Sequence, residues 1–207
     1  PDGADGTAVG GRLLATASYT DWRLTCIGGT DETATLLACA EAGAHVRHVL
    51  EAPRLTYWQA LAYETRLTDA QLLCNLASDL IPGMHWLARG VTAYDATFPG
   101  DDYGLLGFNG DSHGVEHSCH FLIDADLLTY LGGWPTWYDH NFGDTELCQR
   151  ALALGFYAKA PWALLFHDHV YFGGTDDAVY REGRAQSHRD QALYESRKAA
   201  QWPTISR

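Results

Sequence analysis

The stretch Ala70-Gln-Leu-Leu-Cys-Asn-Leu-Ala-Ser-Asp79 indicates most clearly which class of fold the sequence encodes. Residues 70–76 form a short apolar run of the kind found in buried parallel strands. The run leads to Asp79, and a turn through Pro82 and Gly83 follows. Because ligands bind at the carboxyl ends of strands in parallel sheets, this stretch predicts a buried strand that brings Asp79 to a binding site.

On both sides of this stretch, patterns of strands alternate with patterns of helices. The further predicted strands are 22–27, 45–50, 103–108, 117–123 and 157–166. The predicted helices are 11–19, 30–42, 57–68, 127–131, 144–154 and 190–200. This alternation predicts an α/β fold with a mixed, mostly parallel sheet flanked by helices. The sequence has no internal repeat or linker, so residues 1–207 are expected to form a single domain.

The charge of the chain restricts its partners. Its 26 acidic and 14 basic residues give a formal net charge of -12. Such a field repels polyanions, so binding to nucleic acid is disfavoured. An acidic protein that holds a diphosphate would more naturally use a divalent cation than a cluster of lysines.

The sequence shows neither a membrane-spanning pattern nor a disulfide framework. No apolar run is long enough to cross a bilayer, and the N-terminus has no signal-peptide pattern. The cysteine set is odd in number and contains no CxxC pair, which favours reduced thiols in a cytoplasmic protein. The five cysteines are Cys26, Cys39, Cys74, Cys119 and Cys148.

Three polar groups are candidates for a metal site or a polar strand end. Asp79 can bind a hard divalent cation that also touches a diphosphate, or it can be a turn residue that accepts backbone amides. His167 and His169 follow a buried-looking strand, where residues two apart face the same side. They are candidate metal ligands, or simply the polar end of that strand.

The stretch Trp134-Pro-Thr-Trp-Tyr-Asp-His-Asn-Phe-Gly-Asp-Thr-Glu146 joins aromatic residues to an acidic helix start. Aromatic faces stack on sugar rings, so Trp134, Trp137 and Tyr138 predict a sugar-binding rim. Asp144 or Glu146 could be a general base that deprotonates a hydroxyl nucleophile. Both could instead be favourable first-turn charges against the helix dipole.

A second cluster contains His113, His117, Cys119 and His120. Such a grouping permits zinc binding if three or four ligands converge. The spacing matches no common zinc signature, so loop histidines near an active site are the favoured interpretation.

Residues 131–203 resemble the GT-A glycosyltransferases related to family 2, especially the short forms of bacteriophages and actinobacteria. The resemblance lies in an ordered progression of Gly132-Gly133, the acidic residue Asp144, Leu147, Arg150, Gly155 and His167. Asp79 falls on the last acidic residue of the DxD-type metal motif of this family, where Ala77 and Ser78 replace the earlier positions. Asp144 falls on the catalytic base, and Gly143 replaces the acid that usually precedes it.

The resemblance implies an inverting transfer from a UDP- or GDP-sugar to an acceptor hydroxyl. Residues 1–98 would form the nucleotide-sugar-binding half, and 99–207 the acceptor and catalytic half. Asp79 and His167, with His169 as the competing choice, would hold Mn²⁺ or Mg²⁺. The first strand of the family has no clear counterpart before residue 22. The residues implied in donor or acceptor binding are Ser78, Asn109, Trp134, Trp137, Tyr138 and Glu146.

Three other interpretations stay open. The chain could be a catalytically silent domain that binds a sugar or nucleotide, which the depleted DxD motif favours. It could be a zinc-dependent hydrolase built on the cluster from His113 to His120. It could also be a subunit that takes its first strand from a partner chain.

Overall fold

The computed structural model describes residues 21–29, 46–51, 55–77, 80–109, 114–167 and 178–202. Side chains are described in these ranges except at 28–29, 46–51, 167 and 178–186. The predicted helices 11–19 and 30–42 lie outside the described residues, as do the candidate residues Ser78, Asp79, His113 and His169.

Seven described strands form two sheets. The smaller sheet pairs β1 with β2 in parallel, and the larger has the order β3-β6-β5-β7-β4. In the larger sheet β5 and β7 are parallel, whereas β6 runs antiparallel to both β3 and β5, and β4 antiparallel to β7. The strands are β1 Leu24–Gly29, β2 Val46–Glu51, β3 Leu72–Cys74, β4 Leu80–Pro82, β5 Leu105–Asn109, β6 Phe121–Asp124 and β7 Tyr157–His167.

Five described helices accompany these strands: α1 Tyr57–Thr65, α2 Trp86–Thr97, α3 Ala125–Tyr130, α4 Gly143–Ala153 and α5 Ala178–Ala199. The predicted α/β class, with a mixed sheet flanked by helices, is confirmed. Of the described strand pairs, β1–β2 and β5–β7 are parallel and the other three are antiparallel. The stretch 70–76, predicted as a buried parallel strand, contributes β3, which is antiparallel to β6 and is only partly buried because it lies at one end of the strand order. Among the described residues, none of the helices has the length and apolar composition needed to cross a membrane. The four cysteines in the described ranges, Cys26, Cys74, Cys119 and Cys148, form no disulfide with one another.

Two hydrophobic clusters lie on opposite faces of the larger sheet. Alternation along β6 separates them, because successive strand residues point to opposite faces. Leu122 packs with Trp86 of α2 in the first cluster. Phe121 and Ile123 pack in the second cluster, which also contains Trp58, Leu127 and Leu147 from α1, α3 and α4. The sheet is therefore covered on both faces.

Helix α2 has no counterpart among the predicted helices. It begins after His85, which has a left-handed backbone (φ 57°) and makes no side-chain capping bond. Gly90, a poor helix former, interrupts its apolar pattern. The glycine is required by packing, since a Cβ there would lie 2.6 Å from Cε1 of Phe108. The helix thus approaches β5 more closely than any side chain at position 90 would permit.

Replacing Gly90 with valine should destabilise the fold by about 1–3 kcal/mol, the usual cost of overpacking a core. Thr92→Val, at an exposed position of the same helix, is the matched control and should change stability little. Urea unfolding measures both variants. A Gly90→Val protein as stable as the control would show that α2 can move away from β5 at little cost.

Candidate active site

The carboxyl ends of β3 and β5 lie at the same end of the larger sheet, and this row of strand ends is called the sheet edge. Both strands run antiparallel to β6, so they share a direction, and β6 begins where they end. Asn75 follows β3 directly, and Asn109 is the last residue of β5. Residues 114–120, which precede β6, lie at the same edge. This is the edge at which the sequence predicted a ligand site.

Asn75 joins β3 to the segment that precedes β6. Its side chain is 1% exposed. Its Nδ2 donates to the carbonyl of Cys119 at 2.9 Å, and its Oδ1 accepts from the amide of Phe121, also at 2.9 Å. A buried amide side chain satisfied in this way fixes the backbone on either side of His120.

Lys159 of β7 holds the other end of the same segment. Its Nζ donates to the carbonyls of Gly114 and His117, at 2.9 and 2.8 Å. The hydrogen bond from Lys159 therefore fixes the backbone of His117 relative to β7, and this limits the positions that the His117 side chain can take.

Asp144 lies in the first turn of α4 and faces His117. The amide of Thr145 donates to its Oδ1 at 2.8 Å, and His117 Nε2 lies 3.4 Å from its Oδ2. The side chains of His117 and Asp144 are 14% and 20% exposed. Burial by itself would raise the pKa of Asp144, but the hydrogen bond and charge of His117, with the Thr145 amide, outweigh it and lower the pKa to about 2. Asp144 is thus an ionised carboxylate that remains partly exposed to solvent.

Asp190 of α5 shapes the loop that leads into α4. Its carboxylate is 1% exposed and accepts from three consecutive amides, those of Asp139, His140 and Asn141, at 2.8–3.0 Å. Phe142 then adopts a left-handed conformation (φ 66°) and the helix begins. The position of Asp144 therefore depends on a carboxylate contributed by the last helix.

The missing acid before Asp144 has a steric explanation. A Cβ at Gly143 would lie 2.3 Å from Cε2 of Trp58 and 2.7 Å from Cγ of Pro135. Trp58 is 1% exposed, and its indole donates to the carbonyl of His140 at 2.9 Å. The indole of Trp58 occupies the space that the side chain of an acidic residue would need.

Glu146, the other acid in the first turn of α4, is fully buried. Arg197 of α5 binds both of its carboxylate oxygens, at 2.7 and 2.8 Å, and Arg150 lies 3.3 Å from Oε1. Burial opposes ionisation, but the hydrogen bonds from Arg197 and Tyr138 outweigh it and lower the pKa of Glu146. The structure therefore gives Glu146 the role of joining α5 to α4, which differs from the predicted contact with donor or acceptor.

Two of the three aromatic residues predicted for a sugar-binding rim are buried. Trp134 is 4% exposed and donates to Thr65 Oγ1 at 2.7 Å, whereas Tyr138 is 0% exposed and donates to Glu146 at 2.8 Å. Both belong to the hydrophobic cluster around Trp58. Trp137 is partly exposed, and the guanidinium of Arg197 lies 4.0 Å from the centre of its ring. Of the three, only Trp137 has surface left for a ligand in this conformation.

The remaining predicted residues are only partly described. Asn109 is partly exposed, and its Nδ2 donates to the carbonyl of Pro161 at 2.9 Å, where the pairing of β5 with β7 is irregular. The backbone of His167 ends β7 and is in register with Leu80 of β4. Ser78, Asp79 and His169 lie outside the described residues, so their predicted roles stay predictions.

The structure adds Tyr57, Asn75 and Asp190 to the residues singled out from the sequence, and it brings Cys119 next to Asp144. Tyr57 of α1 lies near Asn75 and Asp144, and burial raises the pKa of its hydroxyl. Cys119, which the sequence grouped with His117, lies close to both His117 and Asp144: the ligand atoms of the three residues are within 4.8 Å of one another. Asn75 and Asp190 act through hydrogen bonds to distant backbone groups, for which the sequence carries no local signal.

Replacing Asp190 with asparagine should destabilise the fold by about 2–3 kcal/mol, since hydrogen bonds to charged groups contribute about 1.5–3 kcal/mol and the amide group would turn a donor towards N–H groups. Glu195→Gln, at an exposed position of the same helix, is the matched control and should have little effect. Urea unfolding of both proteins provides the comparison. Equal stability would contradict the role assigned to the Asp190 carboxylate.

Comparison with solved structures shows which proteins share this fold. A mannosyltransferase from Pyrobaculum calidifontis, solved with GDP-Man and Mn²⁺, matches over 97% of this chain with a TM-score of 0.72 and 13% identity. This chain spans 62% of the length of that enzyme. Glucosyl-3-phosphoglycerate synthase from Mycobacterium tuberculosis, solved with Mn²⁺, UDP and glucosyl-3-phosphoglycerate, matches over 93% of this chain and 76% of its own, with a TM-score of 0.66 and 17% identity.

A third match has a different chemistry. A putative glucose-1-phosphate thymidylyltransferase from Bacillus anthracis matches over 74% of this chain and 72% of its own, with a TM-score of 0.51 and 12% identity. No protein-family model and no curated protein sequence matches the chain. At these identities the comparisons establish the GT-A type of nucleotide-sugar transferase fold, and the reaction has to be argued from the site.

Proposed function

We propose that this chain transfers a sugar from a nucleoside diphosphate sugar to an acceptor hydroxyl, with inversion, and that Asp144 is the general base. The observation that carries the proposal is the position of Asp144: a partly exposed, ionised carboxylate at a helix start, beside the carboxyl ends of β3 and β5. In open α/β sheets ligands bind at this edge. The shared fold with sugar-nucleotide enzymes supports the substrate class.

The choice of Asp144 over Glu146 follows from their surroundings. Glu146 is fully buried, and Arg197, Arg150 and Tyr138 already occupy its oxygens. A base must come within hydrogen-bonding distance of the proton it removes. Asp144 meets this condition, because an acceptor hydroxyl can approach Oδ2 by taking the place of His117. Loss of the His117 contact also makes the carboxylate more basic.

The donor side of the site rests on Asp79 and His167. What supports this choice is the backbone register, in which Leu80 of β4 pairs with His167 of β7, together with the sequence, in which Asp79 directly precedes Leu80. A set of oxygen and imidazole ligands suits Mn²⁺. A set with more oxygen ligands would suit Mg²⁺. A divalent cation at this position would neutralise negative charge that develops on the departing diphosphate. His169 is the competing ligand, and Ser78 and Asn109 are the proposed polar contacts to the donor.

Replacing Asp144 with asparagine should lower the transfer rate by roughly 10²–10⁴-fold, the usual contribution of a general base. Donor affinity should change little, because the side chain keeps its size. Glu116→Gln, an exposed acid in the loop beside His117, is the matched control. A rate assay with a radiolabelled donor measures both variants, and full turnover by Asp144→Asn would remove Asp144 from the role.

A silent sugar- or nucleotide-binding domain is the second candidate. It is favoured by the sterically excluded acid at Gly143 and by Ala77 and Ser78 in place of acidic residues. It predicts donor binding without turnover. Turnover by the wild-type chain would therefore exclude this candidate, and donor binding without turnover would favour it.

A panel of UDP- and GDP-sugars, tested by thermal unfolding with and without Mn²⁺, should identify the donor. A ligand at about 100 times its Kd adds roughly 2.7 kcal/mol to stability. For a chain of this length that corresponds to a rise in Tm of roughly 5–10 °C. The rise should depend on Mn²⁺ and be reduced in Asp79→Asn. No rise with any donor would contradict both the transferase and the silent binding domain.

A further inference from the structure

His117, Cys119 and Asp144 form a group of potential metal ligands outside the proposed donor site. The ligand atoms of these three residues, an imidazole nitrogen, a thiol sulfur and a carboxylate oxygen, lie within 4.8 Å of one another. The residues come from two separate parts of the chain, the segment before β6 and the first turn of α4. We propose that they form a binding site for Zn²⁺, and that zinc bound there inhibits the transferase.

The separation of the histidine and the aspartate is compatible with zinc. His117 Nε2 and Asp144 Oδ2 are 3.4 Å apart, a long and therefore weak hydrogen bond, and the same nitrogen lies 3.2 Å from Thr145 Oγ1, a contact that zinc would replace. In a tetrahedral zinc site, bonds of about 2.0–2.3 Å place neighbouring ligand atoms about 3.4–3.6 Å apart. The histidine and the aspartate already have this separation. The sulfur of Cys119 lies within 4.8 Å of both atoms, so it needs to approach them by at most about 1 Å to complete the site.

The backbone around the site is fixed by bonds of the kind that orient metal ligands. Asn75 holds the carbonyl of Cys119, and Lys159 holds the carbonyl of His117. The amide of Thr145 binds Oδ1 of Asp144 and leaves Oδ2 towards His117. Such outer contacts reduce the reorganisation that binding requires, and they set the direction of each ligand.

The donor set selects the metal. A thiolate with an imidazole is a set that favours Zn²⁺, whereas Mg²⁺ and Mn²⁺ prefer oxygen ligands. This site is therefore chemically distinct from the carboxylate and imidazole proposed for the donor cation. Three protein ligands also leave one tetrahedral position for water.

The inhibitory effect rests on the proposed function. The Asp144 oxygen that would bond to zinc, Oδ2, is the one that would otherwise accept the proton of the acceptor hydroxyl. Coordination withdraws negative charge from the carboxylate and places the metal where the hydroxyl would approach, so zinc binding and transfer compete for Oδ2. Zinc would thus stop the reaction without occupying the donor site.

Zinc binding is tested on the full chain, stripped of metal and kept reduced, with Zn²⁺ and Co²⁺ as the probes. Competition with a chromophoric chelator should show one tightly bound Zn²⁺ per chain, and Mg²⁺ in excess should not displace it. Co²⁺ should give the absorption band of a cobalt–thiolate bond. Cys119→Ser should remove that band and weaken zinc binding at least about tenfold, and His117→Gln should weaken it similarly.

Two matched variants control for the other thiols and histidines of the chain. Cys148→Ala removes a nearby buried thiol, and His188→Gln removes an exposed histidine of α5. Both should keep the zinc affinity and the cobalt band, and urea unfolding of every variant verifies that it is folded. Absence of saturable zinc binding, or a Cys119→Ser protein with unchanged affinity and an unchanged band, would overturn the proposed site.

Inhibition is measured by adding zinc to a transfer assay that contains Mn²⁺, and each variant is compared with its own rate in Mn²⁺ without zinc. Half-inhibition of Cys119→Ser should need at least about tenfold more zinc than that of the wild type. Zinc binding without any loss of transfer would overturn the inhibitory role. Absence of transfer by the zinc-free wild type in the presence of Mn²⁺ would count against the proposed function alone, since the affinity and the cobalt spectrum need neither donor nor acceptor.

Discussion

The buried carboxylate of Asp190 is the interaction on which the arrangement of the site depends. An ionised group that is 1% exposed needs donors, and the amides of residues 139–141 supply three. Those amides lie in a loop where no strand or helix satisfies them, so the carboxylate and the loop stabilise each other. The loop determines where α4 begins, and the beginning of α4 determines the position of Asp144. The last described helix thereby fixes a residue in the middle of the chain.

The two acids in the first turn of α4 show how the same local signal leads to different roles. Glu146 points into the protein, where Arg197 and Arg150 compensate its charge and attach α5 to α4. Asp144 points to the sheet edge, where His117 is its charged or hydrogen-bonded neighbour. Of these two acids, Asp144 is the one that keeps partial solvent exposure. This division also explains why Trp134 and Tyr138 are buried beside α4 instead of forming a rim.

Local signals located several elements of the fold well. Helix 144–154 and strand 157–166 were predicted within one residue of α4 and β7, because Gly155 (φ 80°) ends the helix and an apolar run follows. The same reasoning failed for α2, where Gly90 is retained for contact with Phe108. It also shortened α5, predicted at 190–200 but observed at Ala178–Ala199, since the first half of this polar helix has no apolar periodicity.

By itself, the sequence determined the α/β class and most element positions, and it gave a short list of acids and histidines as candidates for the site. It left open which acid of α4 is exposed, and whether His117 and Cys119 lie beside Asp144. The tertiary structure decided these points, because Arg197 binds Glu146 directly, whereas Asn75, Lys159 and Asp190 hold the segments that carry His117, Cys119 and Asp144. Those partners lie far away in sequence, and periodicity and spacing report only on neighbours along the chain. Long-range contacts between elements therefore distinguish the proposed catalytic carboxylate from the structural one.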